Sequence, residues 1–369
     1  MARTLKYDKV LFTATLLLVC ASIVMVYSAS ALVALERYQQ PYLFVTRQVM
    51  WTVLGLAVLA VAMRIDYRTY RSDIFVWSLL GVVMLLLVGV LFSAPINGTR
   101  RWFGIGGLGI QPSELAKIAA IMFTALILER RRHRINEVQY SLVPVGVIVG
   151  GLVGLILLQP DFGTAVSLLA VIAVMVFAAG ISYRYLFGAA LLALPALYVI
   201  LMQADYRRRR LLTFMDPWAD PLGDGFQIIQ SLIAVGTGGV FGKGLMNGVQ
   251  KLFYLPEPHT DFIYAVISEE TGLIGASLVL LCFCVIAWRG LRTSMRAPDS
   301  FGAFLALGIT MMLVLQAFVN ISVVLGLMPT KGIPLPLVSN GGSSMLINLL
   351  GIGVLLNISQ HQSVETGAA

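Results

Sequence analysis

Four acidic residues and one histidine lie close together in the stretch LPEPHTDFIYAVISEETG. The whole chain of 369 residues has only 18 Asp and Glu and three His, so this stretch is rich in groups that exchange protons. Asp261 directly precedes an apolar run, where a carboxylate can either cap the following helix or act as a general base. Spacing alone leaves both interpretations open. A cap does not require Glu257 and His259 beside it, or Glu269 and Glu270 further along the run.

Two other acidic residues begin apolar runs. In QPSELAKI, Glu114 and Lys117 are three residues apart and share one face of a predicted helix. They form either a structural ion pair or a polar pair that lines a cavity, with Lys117 available to an anion. In QPDFGTA, Asp161 follows a proline at a predicted hairpin, where Asp is a common turn residue. Ionisable groups in membrane spans are costly and therefore indicate function, so Asp161 is a candidate supporting residue.

The stretch PTKGIPLPLVSNGGSS combines three prolines with three glycines, which excludes regular structure through most of it. Irregular backbone at membrane depth is tolerated where it is buried in protein or lines a cavity. Its glycines, among them Gly341 and Gly342, let backbone N–H groups face an anionic ligand.

The elements that position these residues are apolar helices. The chain is 58% hydrophobic and 12% charged, whereas soluble domains have about 25% charged residues. The composition therefore predicts an all-α polytopic membrane protein that forms a single domain over residues 1–369, with a folded extracytoplasmic loop at 203–261. The ten predicted spans are 10–28, 44–63, 74–92, 115–128, 142–158, 162–179, 185–202, 262–288, 301–327 and 343–358.

The net charge of +8 follows from membrane orientation and does not require nucleic acid. Cations such as those of ERRRHR mark cytoplasmic loops, which places both termini in the cytoplasm. A second set of cations falls on the outer side, where it contacts either lipid headgroups or an anionic substrate. The outer cations are Arg100, Arg101, Arg207, Arg208, Arg209, Arg210, Lys243, Lys251 and Lys331.

Four strings follow one another along the chain: NGTRRWFGIGGLGIQPSELAKI, QPDFGTA, LPEPHTDFIYAVISEETG and PTKGIPLPLVSNGGSS. In this order they resemble the SEDS family, the polytopic glycosyltransferases that polymerise peptidoglycan. The resemblance covers essentially the whole chain, and PTKG is more similar to the FtsW (cell division) branch than to the RodA (elongation) branch. It implies about ten transmembrane helices, a large extracytoplasmic loop between helices 7 and 8, and a location in the bacterial inner membrane.

The resemblance also implies residue roles. Asp261 matches the catalytic base of the family, and Glu114 and Lys117 match a polar pair near its central cavity. The outer loop and the SNGGSS turn match regions linked to substrate binding or activation. We therefore expect the substrate-binding residues to be Arg100, Arg101, Arg207, Arg208, Arg209, Arg210, Lys243, Glu257, His259, Lys331, Ser339, Gly341, Gly342 and Ser343.

The substrate implied by the resemblance is lipid II, a disaccharide-pentapeptide on undecaprenyl pyrophosphate. Its α-linked donor sugar becomes β-1,4-linked in the glycan, so one inverting displacement suffices. That step needs a base for the acceptor hydroxyl and positive charge on the leaving pyrophosphate. A divalent cation, Mg²⁺ or Mn²⁺, could share this work, although no ligand cluster with clear spacing is visible. The expected partners are a class B penicillin-binding protein, a transpeptidase, and other division proteins.

Three other functions fit parts of the pattern. A lipid II flippase would spread polar groups through the membrane depth, whereas catalysis would gather them at one face. An O-antigen ligase uses similar lipid-pyrophosphate donors, but HTDF and PTKG…GGSS argue against it. A division scaffold would need none of these groups.

Overall fold

The computed structural model describes residues 7–95, 99–105, 108–202, 205–252 and 254–365. Helices account for almost all of its regular structure. The helices are α1 (Lys9–Tyr38), α2 (Leu43–Ala62), α3 (Asp73–Val90), α4 (Pro112–Arg130), α5 (Leu142–Leu158), α6 (Phe162–Ala178), α7 (Tyr183–Met202), α8 (Asp205–Met215), α9 (Phe226–Gly238), α10 (Ile263–Met295), α11 (Ser300–Val324) and α12 (Gly342–Glu365). Two short antiparallel strands, β1 (Phe103–Ile105) and β2 (Leu108–Ile110), form a hairpin before α4.

The predicted all-α membrane fold is confirmed. Each of the ten predicted spans coincides with one helix, namely α1 to α7 and α10 to α12. Within the described residues, seven helices are long and apolar enough to cross a membrane: α1, α2, α3, α5, α10, α11 and α12. Helices α8 and α9 lie between α7 and α10, and α9 covers the apolar stretch IIQSLIAVG.

Helix α4 lies inside the bundle and contacts α3, α5, α6 and α11. Every residue from Ala116 to Leu128 is buried, so this helix is surrounded by protein. Protein on all sides also lets α4 carry Glu114 and Lys117, because ionisable groups in membranes almost always face a bundle interior or a cavity. Helix α12 packs closely on α2, since a Cβ at Gly353 would lie 2.8 Å from the Leu59 carbonyl oxygen.

One end of the bundle is rich in cations held by ion pairs. Arg130 lies 2.6 Å from Asp73, and Arg289 lies 2.6 Å from Asp8. The backbone N–H of Asp8 also donates to Ser359 Oγ at 3.2 Å. The first and last described helices therefore begin and end at this cation-rich end, as an even number of crossings requires.

Helix α10 contains a sharp bend. Gly272 has φ 67° and ψ −166°, which are not helical values. The Tyr264 hydroxyl donates to the Ala276 carbonyl oxygen at 3.2 Å, although these residues would be about 18 Å apart along a straight helix. The chain therefore folds back into a short arm, 263–271, and a long arm, 273–295. The predicted span 262–288 therefore contains a bend that the sequence did not indicate, and Glu269 and Glu270 lie at this bend.

The glycine-rich segment 236–252 of the outer loop packs against this bend. Glu269 Oε1 accepts from Lys243 Nζ at 2.7 Å, and Glu270 Oε1 accepts from Lys251 Nζ at 2.5 Å. Both carboxylates are buried, so these pairs neutralise charge that would be costly alone. At Gly242, with φ 79°, a Cβ would lie 2.1 Å from the Glu270 carbonyl oxygen, which only glycine allows. Close backbone packing thus explains this glycine.

Candidate functional site

A cavity of about 860 Å³ lies at the end of the bundle opposite the cation-rich end. Helix α4 shows where the cavity lies along the bundle. The helix begins in the cavity lining near Glu114 and ends at the opposite end of the bundle, where Arg130 forms an ion pair with Asp73. The predicted site residues that line it are Arg101, Glu114, Lys117, Asp161, Arg210, Glu257, His259, Asp261, Gly341 and Gly342. The structure thus brings together residues from all four strings singled out in the sequence.

Asp261 lies in this lining immediately before α10. The N-cap residue of α10 is Phe262, and no side chain caps the helix. The Asp261 carboxylate makes no hydrogen bond or ion pair with any residue in the described part of the chain, so the cap interpretation is not supported. Burial, and secondly the nearby charge of Glu257, raise the pKa of Asp261 to about 7, while Arg210 opposes this. A carboxyl that titrates near neutral pH is well suited to general base catalysis.

Glu114 and Lys117 are both an ion pair and part of the cavity lining. Glu114 Oε2 lies 3.0 Å from Lys117 Nζ, and each side chain is almost fully buried. Lys117 Nζ also donates to Gln316 Oε1 at 2.8 Å, and Gln316 Nε2 donates to the Pro334 carbonyl oxygen at 3.0 Å. The pair is therefore linked to the loop between α11 and α12.

Asp161 has the turn role that its position after proline indicates. It is the N-cap of α6, and it accepts from the Thr164 N–H at 3.2 Å and from Gln111 Nε2 at 3.0 Å. Arg101 holds the same turn, because its Nε donates to the Gln159 carbonyl oxygen at 2.8 Å. Arg101 Nη1 is 4.0 Å from Asp161 Oδ1. Asp161 and Arg101 thus stabilise one wall of the cavity.

The arginine run in α8 is divided between cavity and surface. Arg210 lines the cavity, and its Nη1 donates to the Thr330 carbonyl oxygen at 3.1 Å. Arg208 is exposed, and Arg209 is exposed near Asp224 at 3.6 Å. The side chain of Arg207 lies outside the described part of the chain. Among the described side chains of the run, Arg210 is thus the one positioned to meet a ligand in the cavity.

Three other cations predicted to bind substrate lie outside the main cavity. Arg100 is exposed and donates to the Leu91 carbonyl oxygen at 3.1 Å. Lys243 is paired with Glu269 at the bend of α10. Lys331 lines a small adjoining cavity of about 60 Å³ together with Asp261, and burial lowers its pKa while Asp161 opposes this.

His259 and Glu257 stand next to Asp261 in the lining. The ring centroids of His259 and Phe44 are 4.6 Å apart, and His259 Nε2 is 3.9 Å from Glu257 Oε2. Burial lowers the pKa of His259, whereas Glu257 raises it and Arg37 lowers it further. The lowered pKa favours a neutral imidazole at neutral pH.

The two predicted serines of the last loop bond to neighbouring segments at the cavity edge, and its two predicted glycines line the cavity. Ser339 Oγ donates to the Thr260 carbonyl oxygen at 2.6 Å, so this serine joins the loop to the segment that carries Asp261. Ser343 Oγ accepts from the Gln111 N–H at 3.3 Å. Gly341 and Gly342 are themselves part of the lining.

Sequence reasoning missed two cations of the cavity, Arg37 and Arg47. They lie near the facing ends of α1 and α2, at the same end of the bundle as the other outer cations. Like the other outer cations, Arg37 and Arg47 depart locally from the positive-inside rule, and this feature of the sequence could have identified them. Gln316 was also missed, because an amide within a long apolar run gives little indication of the cavity that it faces.

The described lining holds five cationic side chains and four carboxylates. The described residues contain no group of three or more His, Cys, Asp or Glu side chains that could hold a metal ion. Of the four described carboxylates that line the cavity, those of Glu257 and Asp261 are the nearest to each other in the sequence. The arrangement can therefore bind an anionic group and accept a proton beside it.

Residues 8–364 match the profile of the FtsW, RodA and SpoVE family, described as cell cycle proteins. A Geobacter metallireducens protein named "Probable peptidoglycan glycosyltransferase FtsW" is 45% identical over 96% of this chain and 95% of its own length. Stage V sporulation protein E of Bacillus subtilis is 43% identical over 96% and 97%.

Solved structures give the same result. One chain, from "Structural coordination of polymerization and crosslinking by a peptidoglycan synthase complex", is similar with a TM-score of 0.80 and 32% identity, covering 97% of this chain and 99% of that chain. The rod shape determining protein RodA of Thermus thermophilus gives a TM-score of 0.72 and 29% identity, covering 97% and 98%.

Proposed function

Because the chain belongs to the FtsW, RodA and SpoVE family, we propose that it is a peptidoglycan glycosyltransferase that polymerises glycan strands for septal wall synthesis. The observation that carries the proposal is a carboxyl, Asp261, that lacks partners among the described residues and lines a cavity together with five cationic side chains. Such a cavity fits a reaction in which an anionic group leaves and a hydroxyl is deprotonated.

The substrate that fits is a lipid-linked disaccharide-peptide on pyrophosphate, lipid II. Asp261 takes the proton of the acceptor 4-hydroxyl as its oxygen attacks the anomeric carbon of the donor. The bond from that carbon to pyrophosphate breaks, and the configuration changes from α to β. The leaving group keeps the bonding electrons as negative charge. Arg210 and Lys117 both line the cavity and can stabilise this charge.

The balance of charge in the lining supports a divalent cation as a further component. The cationic side chains exceed the carboxylates by one among the described lining residues, which is less than a pyrophosphate requires. A Mg²⁺ or Mn²⁺ ion that arrives with the pyrophosphate would supply the missing charge, with its coordination positions filled mainly by water and phosphate oxygens.

The chain is a multi-pass membrane protein, and we propose that it spans the bacterial inner membrane with the cation-rich end in the cytoplasm. Both termini are then cytoplasmic, and the cavity faces the extracytoplasmic side. The similar chain in the peptidoglycan synthase complex supports a partner that crosslinks the glycan, such as a class B penicillin-binding protein.

The clustering of the cavity's polar groups at one end of the bundle favours catalysis over transport. The outer end contains Asp261 and the cations around it, while the middle of α4, from Ile118 to Leu128, is apolar apart from Thr124. A flippase would need polar groups along the whole path.

The test is an Asp261→Asn variant assayed with purified lipid II and, where required, the transpeptidase partner. We expect correct folding and no glycan chains on a gel, because the amide cannot take the proton. Asp224→Asn is the matched control, since Asp224 is an exposed carboxylate of the same outer loop outside the cavity. Chains of normal length and amount from Asp261→Asn would remove the base assignment.

A further inference from the structure

We propose that Asn320 and Gly332 form a clamp that fixes the position of Asp261, and that they are positioning residues for the reaction. Asn320 lies in α11, and Gly332 lies in the loop that follows it. The inference rests on the proposed function and gives a role to two residues to which the sequence patterns assigned none.

Asn320 acts on the backbone. Its side chain is 2% exposed, and Nδ2 donates to the Asp261 carbonyl oxygen at 2.8 Å and to the Ile333 carbonyl oxygen at 2.7 Å. One buried amide therefore joins the segment that carries the base to the loop between α11 and α12. Both donated protons of the amide are used, which fixes the two carbonyl groups relative to each other.

Gly332 acts on the carboxyl. A Cβ built on Gly332 would lie 2.9 Å from Asp261 Oδ2, and its three nearest atoms would all belong to the Asp261 carboxyl group. The adjacent turn is tight, because the Ile333 N–H donates to the Lys331 carbonyl oxygen at 2.9 Å. The Gly332 backbone is thus the wall against which the carboxyl rests.

The clamp solves a problem that a general base presents. The Asp261 carboxyl has no hydrogen bond to the described residues, so its own oxygens do not orient it. It must nevertheless stay within hydrogen-bond reach of the proton that it removes. Asn320 restrains the Asp261 backbone, and Gly332 restricts the side chain from the other side. Orientation comes from these two contacts while both oxygens remain available to the substrate.

Two variants test the clamp from its two sides. Asn320→Leu keeps the approximate shape and removes both donors. Gly332→Ala adds one methyl group against the end of a side chain, which can shift without unfolding the protein. Because displacement of a catalytic group by about 1 Å can cost about 100-fold in rate, we expect kcat to fall about 10- to 100-fold, with KM changed less than about twofold.

The pH dependence supplies a readout that a purely structural role would not change. A carboxyl released from its buried position loses part of the desolvation that raises its pKa. We therefore expect the acidic limb of the kcat profile to move to lower pH in both variants. Kinetics are measured on the monodisperse full-length protein with its transpeptidase partner and lipid II.

The chain offers matched controls. Asn357→Leu removes a buried amide that likewise joins two backbone groups, the Tyr67 N–H and the Met63 carbonyl, at the cation-rich end. Gly150→Ala adds a methyl group to a helical glycine with no atom within 4 Å of the new Cβ. We expect both controls to keep the wild-type pH profile per folded molecule.

The outcomes separate the clamp from the proposed function. If Asp261→Asn is inactive while Gly332→Ala keeps the wild-type kcat and pH profile, the clamp is refuted and the base assignment stands. If Asp261→Asn is active, the proposed function of Asp261 fails first. If Asn320→Leu does not fold, Gly332→Ala alone decides between these results.

Discussion

Replacing Glu257 by Gln should move the pH dependence of polymerisation to lower pH. The pKa of Asp261 is raised to about 7, first by burial and then by the charge of Glu257. The amide removes the second contribution and leaves the first. Deprotonation of the base then requires less alkaline conditions, so activity should appear at lower pH in the variant than in the wild type.

The magnitude for the wild type follows from its pKa. A single group with a pKa of about 7 is ionised to about 9% at pH 6 and to about 91% at pH 8. If the ionised form of Asp261 is the active one, kcat should rise about tenfold between these two pH values. In Glu257→Gln the rise should be smaller, because more of the carboxyl is already ionised at pH 6.

The assay compares the ratio of kcat at pH 6 to kcat at pH 8, with saturating lipid II at constant ionic strength. A ratio is used because Glu257 also lines the cavity, so its loss can change the absolute rate. Glu137→Gln is the control. It removes one carboxylate beyond the far end of α4 from the cavity, where Glu137 is exposed near Arg134.

Three results would refute the reasoning. A wild-type profile that is flat between pH 6 and pH 8 would show that no group with a pKa near 7 limits the reaction. A limb that moves to higher pH in Glu257→Gln would show that the carboxylate does not raise the pKa of the base. An equal shift in Glu137→Gln would trace the effect to overall charge instead of to the site.

Two other predictions concern the cations of the cavity. Arg210→Gln should move the acidic limb to higher pH and lower kcat, because Arg210 opposes the rise in the pKa of Asp261; an unchanged limb in the same assay would contradict this. Lys117→Met should destabilise the protein by about 3–5 kcal/mol, since it leaves the Glu114 carboxylate buried without its cation. Adding Glu114→Gln to it should restore the thermal midpoint in detergent but not polymerisation, and recovery of both would make the pair structural only.

The sequence was sufficient to predict the helices but not the bend in α10. Long apolar runs specify transmembrane helices because the bilayer leaves the backbone few alternatives. Gly272 lies in such a run, and glycine is common in transmembrane helices. Its left-handed conformation is enforced by the loop packed against it, which is a contact between segments that no local pattern reveals.

The sequence predicted those residues of the candidate site that stand out as polar groups in apolar segments. Asp261, Glu114 and Lys117 lie in or beside apolar runs, where a charged group is costly to bury. The sequence therefore indicated that they share a cavity, and the structure places all three in the lining of one cavity. Lys243 was grouped with the outer cations because its buried partner, Glu269, becomes adjacent only after the chain folds back. Asn320 carried no signal, and Gly332 stood in the singled-out PTKG string with nothing to link it to Asp261, since an amide and a glycine acquire meaning only from the atoms that they contact.

The bend in α10 has a mechanical consequence. The outer loop is bonded to both sides of it, through Lys243 N to the Glu269 carbonyl at 3.0 Å and through Leu273 N to the Gly239 carbonyl at 2.9 Å. The short arm, about 14 Å long, therefore joins the outer loop at one end to the segment that carries Asp261 at the other. A displacement of the loop at the bend would be passed along this arm to Asp261, whose backbone Asn320 joins to the loop between α11 and α12.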